Sequence, residues 1–240
     1  MSLIGTDISR WEDNLVTPTR IDYQMMRGAK AEFVIFKATQ GGAWVDPVFV
    51  ADYERARNAG LITGAYHFLD WTVDADRQAE HFARQIDGKV LDFPPIVDYE
   101  YRVNVPERAA AVNALWMFVD RIFRLTGRKC MIYTSPGYWS EFGSPALVWQ
   151  DYPLWIAHYG VVQPRIPAPW IKFVLWQFTA NGTAPLYGCS ETKGIDLNYY
   201  PGTLAELRAW LGIDAPGVEE EDIGDVEKLR RLWEAHPELH

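Results

Sequence analysis

The chain is expected to fold as an α/β protein, an irregular TIM-like (β/α) barrel of about eight mainly parallel strands, with loops in place of some helices. Two patterns point there: short runs rich in β-branched and aromatic residues alternate with stretches of helical period, and the spacing between runs is that of a crossover connection. Size agrees, because 240 residues at 48% hydrophobic content suit one barrel-sized domain with a little chain left over.

Taken in order, Leu3–Ser9 reads as the first strand and carries Asp7. Residues 10–23 hold turn chemistry, with Asp13-Asn14 and Thr17-Pro18-Thr19, and Ile21–Ala29 allows a brief helix. Glu32–Thr39 is a buried strand closed by Gly41-Gly42. Asp46-Pro47 supplies an N-cap and first-turn proline for a helix along which Val48, Ala51, Tyr53, Ala56 and Ala59 recur until Gly60. Leu61–Leu69 is the third strand, and Val73–Ile86, acidic in its first turn, is its crossover helix. The fourth strand lies in Phe93–Tyr101, with prolines at its start, where they cost least. Val105-Pro106 begins the longest helix, whose Ala109, Val112, Leu115, Trp116, Val119, Ile122 and Phe123 keep a core-facing spacing up to Gly127. Lys129–Thr134, Leu154–Tyr159, Phe173–Thr179 and Gly194–Asn198 complete the strands, and Thr203–Leu211 is a last helix. Pro164–Trp170 and Ala180–Lys193 read as loops, so the second half of the barrel is the irregular one.

Composition changes at Ala215-Pro216-Gly217, which divides the chain into a catalytic barrel domain, 1–214, and an acidic linker with a short amphipathic helix, 215–240. From Pro216 on, eight acids face three cations, a net of -5 out of the chain's -9. Val226, Leu229, Leu232 and Trp233 give this tail one apolar face, suited to packing on the domain, to self-association, or to leading into a module now lost. The acidic balance leaves no basic patch to neutralise phosphates, which argues against nucleic acid and anionic membrane as partners. No run reaches membrane-span length, and Met1–Trp11 lacks the basic and apolar regions of an export signal, so synthesis in the cytoplasm without a signal peptide is expected. Cys130 and Cys189 are too few for a disulfide framework and are expected as free thiols. His67, His81, His158, His236 and His240 show no metal-ligand pairing, so neither metal nor cofactor is expected.

The chemistry centres on Asp98-Tyr99-Glu100. Alternation along a strand puts both acids on one face, with Val97, Tyr99 and Tyr101 on the other. Each acid makes its neighbour costlier to ionise, and that split suits acid–base work, although an isolated Asp-x-Glu is more often a solvated strand end. Position favours the first reading. At the strand ends that form a barrel mouth, Asp98 and Glu100 would face Asp7 from the first strand and Asp196 from the eighth. Four carboxylates with 34 Trp, Tyr and Phe residues and no metal pattern favour glycoside hydrolysis. Tyr66, Phe68, Tyr133, Trp155, Tyr159 and Trp176 lie on the same strands, so some of them should line the cleft.

Gly5-Thr6-Asp7-Ile8-Ser9, Phe33–Gly41 (FVIFKATQG), Gly64–Phe68, Asp98-Tyr99-Glu100, Ile132-Tyr133-Thr134, Leu154–Ala157, Trp176–Thr179 and Gly194–Asn198 together resemble the family 25 glycoside hydrolases, the Chalaropsis-type lysozymes of phages, bacteria and fungi. The likeness spans about residues 3–212, in order. It implies a β-1,4-N-acetylmuramidase that cuts bacterial peptidoglycan between N-acetylmuramic acid and N-acetylglucosamine with net retention. By position it makes Glu100 the general acid/base, Asp98 its partner, and Asp7 and Asp196 the remaining acids of the catalytic set. Tyr66, Phe68, Tyr133, Trp155, Trp176, Gln177 and Asn198, on the strands that carry these acids or next to them, are the candidate substrate-binding residues. Asp98 could attack as nucleophile or orient the substrate's 2-acetamido group. Glu12 where glutamine is usual, Gln40 where glutamate is usual, and a longer first loop depart from the family pattern and bear on the cleft rim. With no export signal, the expected role is a phage or prophage endolysin acting on the wall after release. A wall-binding module without turnover and a chitinase-like hydrolase are the alternatives, the latter lacking its fuller Asp-x-x-Asp-x-Asp-x-Glu signature here.

Overall fold

The computed structural model describes residues 3–13, 20–189 and 194–213. The expected domain boundary at 214/215 and the acidic tail lie outside the described residues, as do Asn14 and Thr17-Pro18-Thr19. In chain order the strands are β1 (Leu3–Ile8), β2 (Ala31–Gln40), β3 (Trp44–Val45), β4 (Ile62–Phe68), β5 (Ile96–Asp98), β6 (Met131–Thr134), β7 (Leu154–Ala157), β8 (Leu175–Thr183) and β9 (Gly194–Tyr200). All but β3 close a ring, β1-β2-β4-β5-β6-β7-β8-β9 and back to β1. Seven of these eight run parallel, and β9 is antiparallel to both of its neighbours. β3 adds a two-residue antiparallel ladder on the outer part of β2.

Alternation along the strands builds two apolar layers. Phe33, Ile35, Ile62, Ile96, Met131 and Leu175 fill the lower barrel interior, where Phe93 and Leu207 join them. Val34, Phe36, Val97, Ile132, Leu154 and Ile156 point outward into the helical layer. Burying each such side chain contributes about 1.5–3 kcal/mol, so the lower interior is a packed plug and not a channel. Gly5 is the small residue this packing needs, since a Cβ there would lie 2.3 Å from the Phe33 ring.

The helices are α1 (Tyr23–Gly28), α2 (Phe49–Asn58), α3 (Ala75–Ile86), α4 (Arg108–Thr126), α5 (Pro136–Phe142) and α6 (Leu204–Leu211). Three differ from the sequence reading. Helix α2 starts at Phe49, because the Asp46 carboxylate accepts from Val48 N and Arg10 N and so caps a turn ahead of the helix. On α4, Trp116 and Phe123 are exposed, and the buried stripe is Ala111, Leu115, Phe118, Val119 and Ile122. Both stripes have helical spacing; the contact of Phe118 with Phe82 on α3 and with the His67 ring selects the one that turns inward. Helix α5, capped by the Ser135 side chain with Pro136 in its first turn, was not anticipated.

Candidate active site

The upper half of the interior is polar. Asp7, one residue from the end of β1, is buried, and its Oδ2 accepts hydrogen bonds from Gln177 Nε2 at 2.9 Å and Asn198 Nδ2 at 2.7 Å. Both amides are themselves held. Gln177 Oε1 accepts from the Tyr133 hydroxyl at 2.7 Å and also from the Tyr159 hydroxyl, and Asn198 Oδ1 accepts from the Trp155 indole at 2.8 Å. Such a frame leaves a charged or protonated Asp7 little freedom to turn.

Asp196 stands directly opposite Asp7 in the β1–β9 register. Sequence order alone would put an active-site acid at the end of its strand, yet Asp196 is the third residue of β9; because β9 is inverted, its beginning meets the mouth formed by the ends of the parallel strands. Burial pushes Asp196 up to about 6, with Glu12 adding to the shift and its hydrogen bond with Asp7 opposing it. Asp7 is raised well above the usual carboxylate range, first by burial and then by Asp196, while Asn198 and Gln177 oppose. Burial and mutual repulsion thus make it costly for the two acids to be charged together.

Asp98 ends β5 inside the barrel, and among the described residues its buried Oδ1 has no hydrogen-bond partner. Burial raises its pKa well above the usual range, Glu100 adds to this, and the Lys37 ammonium opposes. Glu100 lies beyond the strand end and is half-buried. Its pKa is raised by burial and then by Asp7, against Lys37 and Arg102. Of Tyr99 and Tyr101, both expected on the face opposite the acids, Tyr99 alone takes it. Tyr99 turns into the outer layer, packs against Trp71, Tyr138 and Trp139, and donates to the Phe142 carbonyl at 2.7 Å, whereas Tyr101 leaves the strand pattern and lies edge-on to Phe68. The strand is three residues long, so alternation stops before it reaches Glu100.

The other expected substrate residues divide. Tyr66 and Phe68 are half-buried on β4 at the cleft, and the acids Asp98 and Asp7 bear on the Tyr66 hydroxyl. Tyr133 and Trp155 are buried beneath the carboxyls as supports, 4.6 Å apart at their ring centres. Trp176 is not in the cleft. Its neighbours Leu175 and Gln177 point inward, so its ring takes the outer face, packs with Phe178 and Tyr199, and donates its indole N–H to the His158 carbonyl. His67 is a core residue, bonded to Thr39 Oγ1 at 2.7 Å and to Gln78 at 3.0 Å, and burial pushes its pKa down to about 3.

Two site residues had no assigned role. Lys37 alternates with Phe33 and Ile35 and so points inward, which the strand period could have revealed. Its pKa is lowered by burial, against the attraction of Asp98, Asp46 and Glu100. Glu12, a departure from the family pattern, has its Oε2 held by Ser9 N at 2.8 Å and Ser9 Oγ at 2.9 Å, and burial pushes it up to about 7. Among the described residues no group of three or more His, Cys, Asp or Glu side chains is disposed to hold a metal ion. Cys130 and Cys189 are buried free thiols, raised by burial.

This concentration of acids sets the pH dependence of stability. Glu12 and Asp52 at about 7 and Asp196 at about 6 all bind protons more tightly folded than unfolded. Their contribution is fully present below the unfolded carboxylate value, about 4, and is lost as pH rises through 6 to 7. Urea midpoints should accordingly be higher near pH 5 than near pH 8, and a midpoint that rises across this interval would contradict the assignment.

Buried carboxyls with raised proton affinity stand around the mouth of the barrel, an arrangement suited to glycoside hydrolysis. The model for glycosyl hydrolases family 25 matches residues 6–186, and the chain belongs to that family and is a glycoside hydrolase of lysozyme type. It is 29% identical over 218 residues to Lysozyme M1 of Streptomyces globisporus, covering 85% of this chain and 70% of that one. The N,O-diacetylmuramidase of Chalaropsis sp is also 29% identical over 218 residues, covering 85% and 96%. The solved bacterial lysozyme from Streptomyces coelicolor superposes with a TM-score of 0.75 at 27% identity, covering 87% of this chain and 96% of that one. Among the described residues no helix is long and apolar enough to cross a membrane.

Proposed function

We propose that this enzyme is a β-1,4-N-acetylmuramidase of bacterial peptidoglycan, working with net retention and with Glu100 as general acid/base. The observation that carries the reading is Glu100 itself, half-buried at the mouth beside Asp98 and Asp7 and favouring its protonated form. Glu100 gives its proton to the leaving glycosidic oxygen as the bond to the anomeric carbon breaks. Asp98, with a free Oδ1, meets the developing positive charge, by direct attack or by orienting the substrate's acetamido group. Glu100, now a carboxylate, takes a proton from the water that completes hydrolysis, so the acid is regenerated. Asp7, held by the amide frame, and Asp196 opposite it in the strand register form another wall of the site.

Mass spectrometry of digested wall tests this. Fragments should end in reducing N-acetylmuramic acid; ends in N-acetylglucosamine would make the enzyme a glucosaminidase, activity on chitin alone a chitinase-like hydrolase, and saturable binding without new reducing ends a binding module. We place the enzyme in an endolysin-type role, made inside a bacterium and acting on the wall after release, a setting compatible with two buried unbridged cysteines. Lysis of cells expressing it only when a membrane pore is co-expressed is the result expected of that role.

A further inference from the structure

A cavity of about 440 Å³ opens at the ends of β1, β2 and β3, with Arg10, Trp11, Lys37, Gln40 and Trp44 in its wall. Two acids and two cations line it, and they are not equivalent. The acids are occupied by their own chain: Asp46 accepts from Arg10 N and Val48 N, both at 3.1 Å, and Asp70 accepts from Thr72 N at 2.8 Å and Thr72 Oγ1 at 2.7 Å. Of the cations, Lys37 is drawn towards Asp98, Asp46 and Glu100, whereas the Arg10 side chain has no hydrogen bond or ion pair among the described residues. Among the described residues neither Arg10 nor Lys37 forms an ion pair. Lys37 donates to the neutral Gln40 Oε1 at 2.8 Å and lies 5.3 Å from the Trp44 ring. The Arg10 guanidinium lies 4.7 Å over Trp11, which is 72% exposed, and 6.0 Å from Trp44. Stacked in this way, it keeps its edge N–H donors free for a planar anion.

We propose that this cavity is a substrate subsite for a carboxylate carried beside the scissile bond, with Arg10 as its ligand and Trp11 and Trp44 as its walls; this rests on the muramidase reading. On a peptidoglycan strand such a carboxylate comes from the stem peptide or, where the peptide is missing, from the lactyl group of N-acetylmuramic acid. The cavity is larger than a carboxylate group needs, which favours the stem peptide. Gln40 keeps the site open, because a carboxylate at that position would pair with Lys37 and repel the incoming acid.

The test compares kcat/KM on three forms of one glycan: with stem peptides bearing free α-carboxylates, with those carboxylates amidated, and with the peptides removed. Arg10 makes no side-chain hydrogen bond to the fold among the described residues, so Arg10→Gln should fold. The preference for the free-carboxylate form over the amidated form is expected to fall about tenfold in Arg10→Gln, the size of one lost charge-assisted contact, and to fall likewise in Gln40→Glu. Arg10→Lys should recover part of it. An unchanged preference in Arg10→Gln overturns the subsite, and an effect confined to the peptide-free glycan overturns the stem-peptide assignment. Absence of reducing ends with the parent enzyme is instead a failure of the muramidase reading. Calorimetric binding of the free and amidated peptidoglycan forms to the parent and Arg10→Gln proteins reads the subsite without turnover, and equal binding in all cases overturns it.

Discussion

Glu100→Gln is expected to release reducing ends from peptidoglycan roughly a thousandfold more slowly than the parent, the middle of the range for loss of a positioned general acid. Glutamine keeps the shape of the side chain and cannot give up the proton that the leaving oxygen requires. Glu100 is half-buried and accepts no hydrogen bond among the described residues, so the substitution leaves no partner stranded. Folding should therefore be intact, and binding of wall fragments retained. The pH profile carries the same assignment. Because burial and Asp7 raise the pKa of Glu100, the proton-donating form persists above the ordinary glutamate range, and activity should fall on the alkaline side as that proton is lost. If Glu100→Gln kept the parent's rate, or if its alkaline limb were unmoved in whatever activity remained, the general acid would have to be sought elsewhere.

Asp98→Asn is expected to lower turnover by roughly a hundredfold or more while leaving the urea midpoint near pH 8 unchanged or higher. These effects have one cause. The buried Asp98 has an Oδ1 without a partner, and burial and Glu100 both disfavour its charge, so the fold carries a cost at this position that catalysis uses. A neutral amide of the same shape relieves part of the cost and removes the charge that meets the developing cation. It also takes away one of the groups that raise proton affinity around the site. Loss of stability together with loss of activity would mark Asp98 as a structural residue whose removal damages the barrel.

Much of the molecule was legible because it depends on period and punctuation. The eight ring strands, the α3 and α4 crossovers and the glycine at the end of α4 follow from residue pattern alone, since a strand buried on both faces and a helix with one apolar stripe each leave a local signature. Glu100, Asp98, Asp7 and Asp196 could be proposed as one set because strand ends in a barrel converge. What local pattern could not supply was direction. Trp176 sits on a correctly placed strand but faces away from the cleft, and on α4 the spacing allowed two stripes of which packing against α3 chose one. Alternation failed at Tyr101 because β5 ends at Asp98, and beyond it the Tyr101 ring packs on Phe68, a residue distant in sequence.

The sequence by itself determined the class of the protein: an acid-rich, aromatic-rich barrel with its carboxylates at strand ends, a glycosidase in kind, because these features belong to residue identity and spacing. Only the tertiary structure decided how those carboxylates work together. The inverted β9 sets Asp196 against Asp7, the Gln177 and Asn198 amides hold Asp7, and Lys37 reaches the Asp98–Glu100 pair from a strand two places round the ring. Proton affinity depends on burial and on charges brought close by long-range closure, and neither quantity exists until the ring has closed.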